Sequence, residues 1–344
     1  MRFESFFVFT FAVGSVAASF TNIDAAESGT TIPWPASLPV YDHIVIVVEE
    51  NKNYEDIISS PLAPYINGVL KAEGASFTRI FGEEHNSQGN YFWMFSGSNQ
   101  TIGFMDRVPN ESNHPGYPFS GSNLGCQLIK KGRSFKGYSE GLPAIGFSGD
   151  ASPDHSYARK HVPWISFSNV PNGTTIQTSS NLRFDDFPTD RSQFKTLPTV
   201  SFVIPNLKHD MHDGRQAESV PKGDQWLKRN LDAYYQWAKT NNSLLIVTFD
   251  ENDNKQQYRG LTNPFVAPQD EFRLDLQNRI ATIFAGAHIK PGDYDEGAGI
   301  THVNVLRTIE SMYGLPKSGS QQPNAAGGGI GDDVVITDVF MSIK

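Results

Sequence analysis

Four uninterrupted apolar runs limit what this chain can fold into: "HIVIVV" (43–48), "TVSFVI" (199–204), "LLIVTF" (244–249) and "RIATIFA" (279–285). Each is β-branched, ended by polar residues and of strand length. None alternates polar with apolar. A strand of this kind is covered on both faces, which suits a parallel sheet between layers. Helical periodicity lies between the runs. In "DQWLKRNLDAYYQWAK", Leu227, Leu231, Tyr234, Tyr235 and Ala238 recur at helical spacing, and Asp224 is placed to cap the start. "HVNVLRTIESMYG" (302–314) repeats the pattern and stops at a glycine before "LP". Strand and helix alternate, so the fold class is α/β.

Length and composition fit one large domain. The chain has 344 residues, 38% of them hydrophobic and 24 of them Phe, ample for a large core. Residues 1–26 have the layout of a secretory signal peptide: one Arg, an apolar stretch, then small residues, with cleavage near Ala18 or Ala26. The apolar run from Phe6 to Phe20 is short for a spanning helix, so no transmembrane anchor is expected in the mature chain, which is read as secreted, extracellular or periplasmic. Residues 27–344 are read as a single domain with long functional loops at about 97–195, a stretch rich in Gly, Pro, Ser and Asn. Cys126 is the sole cysteine, so no internal disulfide can form. Sequons begin at Asn99, Asn110, Asn172 and Asn241 and matter only in a eukaryotic secretory route. A net charge of −9 argues against nucleic acid as the partner.

Chemistry gathers at the strand ends. "EEN" follows the first run, "IFGEEHNSQGNYFWMFSG" a short second strand, "PNLKHDMHDG" the run ending at Ile204, and "DENDN" the run ending at Phe249. Ligands of open α/β sheets bind at the carboxyl ends of their strands. Taken singly, these pieces read as surface turns, turn serines and loop histidines. Their shared position favours a site. In "TFDENDN", Asp250, Glu251 and Asp253 put three carboxylates within four positions, and each makes the next harder to ionise. A turn accounts for part of this, and a bound cation for more.

The blocks "HIVIVVEENKNYEDI", "EHNSQGNYFWMFSG", "YARKHVPWISF", "VIPNLKHDMHDG", "TFDENDN", "THVNVLRTIESMYGLP" and "ITDVF" resemble, in order, those of the secreted bacterial phosphoesterase family that includes acid phosphatases and phospholipases C. The resemblance spans roughly residues 41–340. That family is related to the alkaline-phosphatase superfamily, which implies a three-layer α/β/α sandwich with a mixed, mostly parallel sheet.

The resemblance implies a Ser or Thr nucleophile bound to metal. "NSQGNY" is similar to the superfamily's nucleophile turn, Pro-Ser/Thr-x-Pro-Asn-Tyr, which makes Ser87 the nucleophile and gives Asn90 a hold on the phosphoryl oxygens. Asn86 and Gly89 replace the two prolines, so a more flexible turn is expected. Glu50, Asn51, Ser87, Asp250 and Glu251 are the implied metal ligands, with Asp210, Asn206 and His302 as further candidates. Oxygen donors suit Mg or Ca, and Zn is also allowed. A divalent cation activates the serine hydroxyl and neutralises phosphate charge. The helix after Ser87 points its N-terminus at the phosphate, while Phe92, Trp93 and Phe95 are read as core. His212 and His161 match blocks whose histidines bind phosphate or protonate the leaving group, and His85 precedes the nucleophile by two residues. Imidazoles can donate protons in mildly acidic medium.

Three functions follow from this reading. The first is a secreted metal-dependent phosphomonoesterase of acid-phosphatase type, acting on a small phosphate ester through a phosphoserine and favoured because the chain adds no lipid-binding domain. The second is a phospholipase C or other phosphodiesterase acting on a phospholipid head group. The third is a non-catalytic metal- or sugar-binding protein, against which the retention of Ser87 and the Asp250–Glu251 pair counts.

Overall fold

The structure is a computed structural model that describes residues 38–102, 106–253, 278–295, 299–319 and 334–341. The signal-peptide segment lies outside the described residues. In chain order the elements that matter are β1 (His43–Glu49), α1 (Tyr54–Ile57), β2 (Ala75–Phe81), α2 (Ser87–Ser96), α3 (Leu124–Lys130), β3 (Phe135–Ser139), β4 (Asn181–Arg183), β5 (Val200–Ile204), α4 (Gln216–Ala238), β6 (Ser243–Phe249), β7 (Arg279–Gly286), β8 (Gly292–Tyr294), β9 (Ile300–Thr301) and α5 (His302–Met312). The strands form one nine-stranded sheet in the order β4-β3-β5-β1-β6-β7-β2-β8, with β9 pairing β2.

All four apolar runs are strands, and nearly every residue in them is buried. Direction is where the pattern misleads. β4, β3, β5, β1 and β6 run parallel, but β7 is antiparallel to both β6 and β2. An uninterrupted apolar run reports burial on two faces, and an inner strand has that burial whichever way it runs.

Helices cover both faces. Successive strand residues point to opposite sides. Phe202 of β5 meets Phe95 of α2 in an edge-on ring contact, with centroids 6.0 Å apart. Its neighbour Val203 is in register with Tyr138, which packs on Phe187, and Phe187 in turn packs on Tyr234 of α4. The result is a mixed, mostly parallel sheet between helical layers, as the resemblance implied. Phe92, Trp93 and Phe95 are buried, so they belong to the core.

Two local expectations need correction. Asp224 does not cap its own helix, because α4 already begins at Gln216. Its carboxylate instead accepts from the N–H groups of Tyr65 (3.0 Å) and Ile66 (2.8 Å), tying α4 to the start of a neighbouring helical turn. The stretch 97–195 is also more than loop, since it supplies α3 and the strands β3 and β4. β3 was hidden by Gly137, a poor strand former. The glycine is needed there: a Cβ would lie 2.0 Å from the ring of Trp164.

Because β2 runs the same way as β6, the carboxyl ends of β1, β2, β5 and β6 share one edge of the sheet. The segments "EEN", "GEEHNS", "PNLKHDMHD" and "DEN" leave from that edge.

Candidate active site

The turn after β2 presents Ser87 as the first residue of α2. Asn86, just before it, has φ 102°, a value closed to proline, whose ring holds φ near −65°. At Gly89 a Cβ would fall 1.4 Å from Oε1 of Glu84, so no side chain fits while that carboxyl lies beneath the turn. Both departures from the two-proline pattern are therefore steric requirements of this turn. The turn is also tightly held. Asn90 Oδ1 accepts from Glu84 N (3.0 Å), Asn90 Nδ2 donates to Glu84 O (2.6 Å), and Asn278 Nδ2 donates to the same carbonyl (2.8 Å). Asn90 thus commits its amide oxygen and one amide N–H to the turn. Asn86 N donates to Glu251 Oε2 (2.8 Å), which joins the turn to the end of β6.

Around Ser87 the structure gathers carboxylates. The Ser87 hydroxyl donates to Glu50 Oε2 at 3.0 Å and lies 3.4 Å from Glu251 Oε1. Asn51 N donates to Asp250 Oδ1 (3.1 Å), and Glu50 N to the carbonyl of Asp210 (2.7 Å). Glu50, Asp210, Asp250 and Glu251 are all fully buried. Burial, then the neighbouring Glu251 charge, pushes the Asp250 carboxyl up to about 7, although the Asn51 N–H and the Ser87 hydroxyl pull it back. Burial raises Glu50 well above the usual range, helped by Asp250 and Asp210 and opposed by Lys160 and the Tyr91 hydroxyl. Burial likewise raises Asp210, against the His212 N–H that binds its charged form.

Among the described residues no Lys or Arg forms an ion pair with Glu50 or Asp210. Lys160 Nζ goes to Asp106 (2.8 Å) and Lys52 Nζ to the Asn51 carbonyl (2.9 Å). Buried carboxylates converging on one hydroxyl fit a hard divalent cation. Glu50, Asn51, Ser87, Asp250 and Glu251 are the residues that would hold it. Backbone strain marks the same corners. Asn51 (φ 44°), Asn86 (φ 102°) and Met211 (φ 73°) occupy the left-handed region, each next to a candidate ligand. Such outliers persist where the surroundings over-determine them, often at functional sites.

The histidines divide into groups. His161 Nε2 lies 3.2 Å from Glu50 Oε1, and His85 Nδ1 lies 3.0 Å from Glu251 Oε2. Both are in the cluster. His212 is partly exposed, with Nδ1 3.0 Å from Asp213 Oδ1, and its backbone N–H binds Asp210 Oδ1 (2.9 Å). Two candidate ligands are drawn elsewhere. His302 is buried with Nδ1 at Glu83 Oε2 (2.7 Å) and Nε2 at the Phe249 carbonyl (2.8 Å), so both ring nitrogens are committed to joining β2, β6 and α5. Asn206 Oδ1 accepts from Lys208 N (3.0 Å) in its own turn.

Sequence reasoning overlooked Tyr91 and Glu84. The Tyr91 hydroxyl donates to Glu50 Oε1 (2.6 Å), and its ring stacks on His161 with centroids 4.9 Å apart at 14°. A signal existed: Tyr91 lies four residues after Ser87 on α2, hence on the same helix face. Glu84 had none, since its role depends on the missing side chain at Gly89.

Residues 61–316 match the Phosphoesterase family, and the chain belongs to that family and is a phosphoric ester hydrolase. It is 43% identical over 287 residues to a phosphatidylinositol-3-phosphatase of Mycobacterium tuberculosis, covering 83% of this chain and 81% of that protein. It is 25% identical over 322 residues to a probable acid phosphatase of Kluyveromyces lactis, covering 90% and 68%. In fold it is similar to an alkaline-phosphatase-superfamily protein of Vibrio parahaemolyticus, with TM-score 0.52 and 12% identity over 83% of this chain and 71% of that one. The lipoteichoic acid synthase LtaP of Listeria monocytogenes gives TM-score 0.52 at 12% identity, over 86% and 77%.

Proposed function

We propose that the protein is a metal-dependent phosphomonoesterase of acid-phosphatase type that works through a covalent phosphoserine at Ser87. One observation carries the reading: the Ser87 hydroxyl, at the N-terminus of a buried helix, donates to Glu50 Oε2 at 3.0 Å and has Glu251 Oε1 at 3.4 Å. A divalent cation held by Glu50, Asn51, Ser87, Asp250 and Glu251 would supply charge neutralisation and a lowered serine pKa. The chain's own residues do the rest. Ser87 Oγ forms a bond to phosphorus as the ester P–O bond breaks, and the hydroxyl proton passes to the Glu50 carboxylate. The departing alcohol oxygen takes a proton from an imidazole, for which His212 at the rim is the candidate. Water then cleaves the phosphoserine, releasing inorganic phosphate and restoring the hydroxyl.

The likeness to a phosphatidylinositol-3-phosphatase favours a second reading of the substrate, a phosphoinositide monoester in place of a small soluble ester. Among the described residues no helix is long and apolar enough to cross a membrane. Secretion and a single mature domain rest on the sequence layout of residues 1–26 and 27–344. The test is Ser87→Ala, with circular dichroism as folding control and acid-quench mass spectrometry of the wild type for the phosphorylated Ser87 peptide. Loss of a nucleophile should lower kcat by several orders of magnitude. A folded variant keeping more than about a tenth of wild-type kcat would remove Ser87 from the chemistry, since one turn hydrogen bond is worth only about 1 kcal/mol.

A further inference from the structure

We infer that the Asp106 carboxylate is an internal competitor for the substrate's phosphoryl group: in the free protein it occupies two donors beside Ser87, the Gln88 N–H and the Lys160 ammonium, that a phosphoryl oxygen takes on binding. The inference rests on the reading of Ser87 as the site of phosphoryl transfer and adds to it a substrate-binding residue, Lys160, and the group that holds it when no substrate is present.

The contacts start from the helix. Gln88 follows Ser87 in the first turn of α2, and Asn86 gives that helix no side-chain cap. Asp106 reaches back across 18 positions instead. Its Oδ1 accepts from Gln88 N (3.2 Å) and its Oδ2 from Lys160 Nζ (2.8 Å). Gln88 Nε2 donates to the Arg107 carbonyl (2.9 Å), which ties residues 106 and 107 to the start of the helix. One carboxylate therefore bridges an N-terminal helix N–H and an ammonium, the donor set that suits a phosphate. An anion already seated there shows what the pair accepts.

The ammonium also belongs to the Ser87 pocket. Lys160 precedes His161, whose Nε2 lies 3.2 Å from Glu50 Oε1. Burial alone would lower Lys160, but the charges of Asp106, Glu50 and Asp250 outweigh it. The ion pair is open to exchange, with 22% of the Lys160 side chain and 31% of the Asp106 side chain exposed. A phosphomonoester carries up to two negative charges near neutrality, so it displaces a singly charged carboxylate. A competitor within the chain weakens every ligand of the seat by one common factor, set by the fraction of molecules in which the seat is free.

The experiment is steady-state hydrolysis of an aryl phosphate by the full chain with its divalent ion, with inorganic phosphate as inhibitor. Asp106→Asn keeps an acceptor for Gln88 N and removes the charge, and Asp106→Ala serves as a second variant should the first fold poorly. Either should raise kcat/KM and lower the Ki of inorganic phosphate by the same factor, about 3- to 10-fold for a half-exposed pair. Lys160→Met should move both quantities the other way, about 10- to 100-fold. Placed on Lys160→Met, Asp106→Asn should recover less than about twofold. A fall in kcat/KM in Asp106→Asn overturns the inference, because the carboxylate then merely positions Lys160. An unchanged Ki overturns it too, since Asp106 then lies outside the path of the phosphate. Acid-quench detection of phosphorylated Ser87 in the wild type keeps the two readings apart. Phosphoserine with an unchanged Ki leaves the nucleophile standing and removes the competitor, whereas matched shifts without phosphoserine support the anion seat and remove the covalent step.

Discussion

Glu84 should make this protein less stable as pH rises, and replacing it with Gln should remove that dependence. The carboxyl lies beneath the Ser87 turn, held by Asn99 Nδ2 (3.1 Å), and burial raises it from 4.5 to about 8, aided by the charges of Glu83 and Glu251 and opposed by Asn99. A folded pKa above the unfolded one means that folding favours the protonated form. The contribution is intact below about 4.5 and is lost as pH climbs through about 8. The full shift, 8 − 4.5 = 3.5, corresponds to about 5 kcal/mol at 1.36 kcal/mol for each pH unit. Between pH 5 and pH 9 the part actually traversed is about 4 kcal/mol. Urea unfolding of wild type and Glu84→Gln, both metal-free, at pH 5, 7 and 9 isolates the term, because every other titrating group is common to the two proteins. The wild type should lose about 4 kcal/mol relative to the variant across that range, most of it by pH 8. Curves that stay parallel within about 1 kcal/mol would refute the reasoning, since Glu84 would then be ionised in the folded state.

Three further outcomes follow from the same geometry. Gly89→Ala puts a methyl group where Glu84 Oε1 now lies, 1.4 Å from the ideal Cβ, and should cost a few kcal/mol in unfolding free energy along with most of the activity. Adding Glu84→Ala should restore much of the stability in a double-mutant cycle, and simple additivity of the two changes would contradict the contact. Asp250→Asn should abolish most turnover of an aryl phosphate, as should exhaustive chelation of the wild type; full turnover in metal-free protein would sink the metal-dependent mechanism. Tyr91→Phe removes the 2.6 Å hydrogen bond to Glu50 and should weaken metal binding about 10- to 100-fold by calorimetry, while an unchanged affinity would leave Tyr91 as packing only.

How far the sequence could be read depends on the kind of constraint. The strands were legible because burial on both faces demands an unbroken apolar run, which composition records directly. β7 was legible as a strand but not in direction, because antiparallel pairing with β6 and β2 leaves the same apolar signature. Residues sharing the sheet edge were legible as well: Glu50, Asp250, Glu251 and Ser87 each follow a strand, and the structure brings Glu50 and Glu251 to the Ser87 hydroxyl and Asp250 to the Asn51 N–H.

Side-chain direction was not legible. His302 has the residue type of a ligand and lies at a helix start near the sheet edge, yet Glu83 and the Phe249 carbonyl take both its nitrogens. Asn90 has a motif match, yet its amide closes the turn on Glu84. These cases share a cause. A buried polar group must satisfy all its hydrogen-bonding atoms, and which partner does so is fixed by contacts between distant segments. His302 meets Glu83 across 219 positions of sequence. Gly89 shows the opposite limit: the informative fact is the side chain it lacks, whose space Glu84 fills, and a sequence read position by position records an absence without its occupant. The candidate site is nonetheless recoverable from such a sequence, because Ser87 and the carboxylates lie beyond strand ends. The groups packed against them, Tyr91 and Glu84, are fixed by contacts between segments and become visible only in the fold.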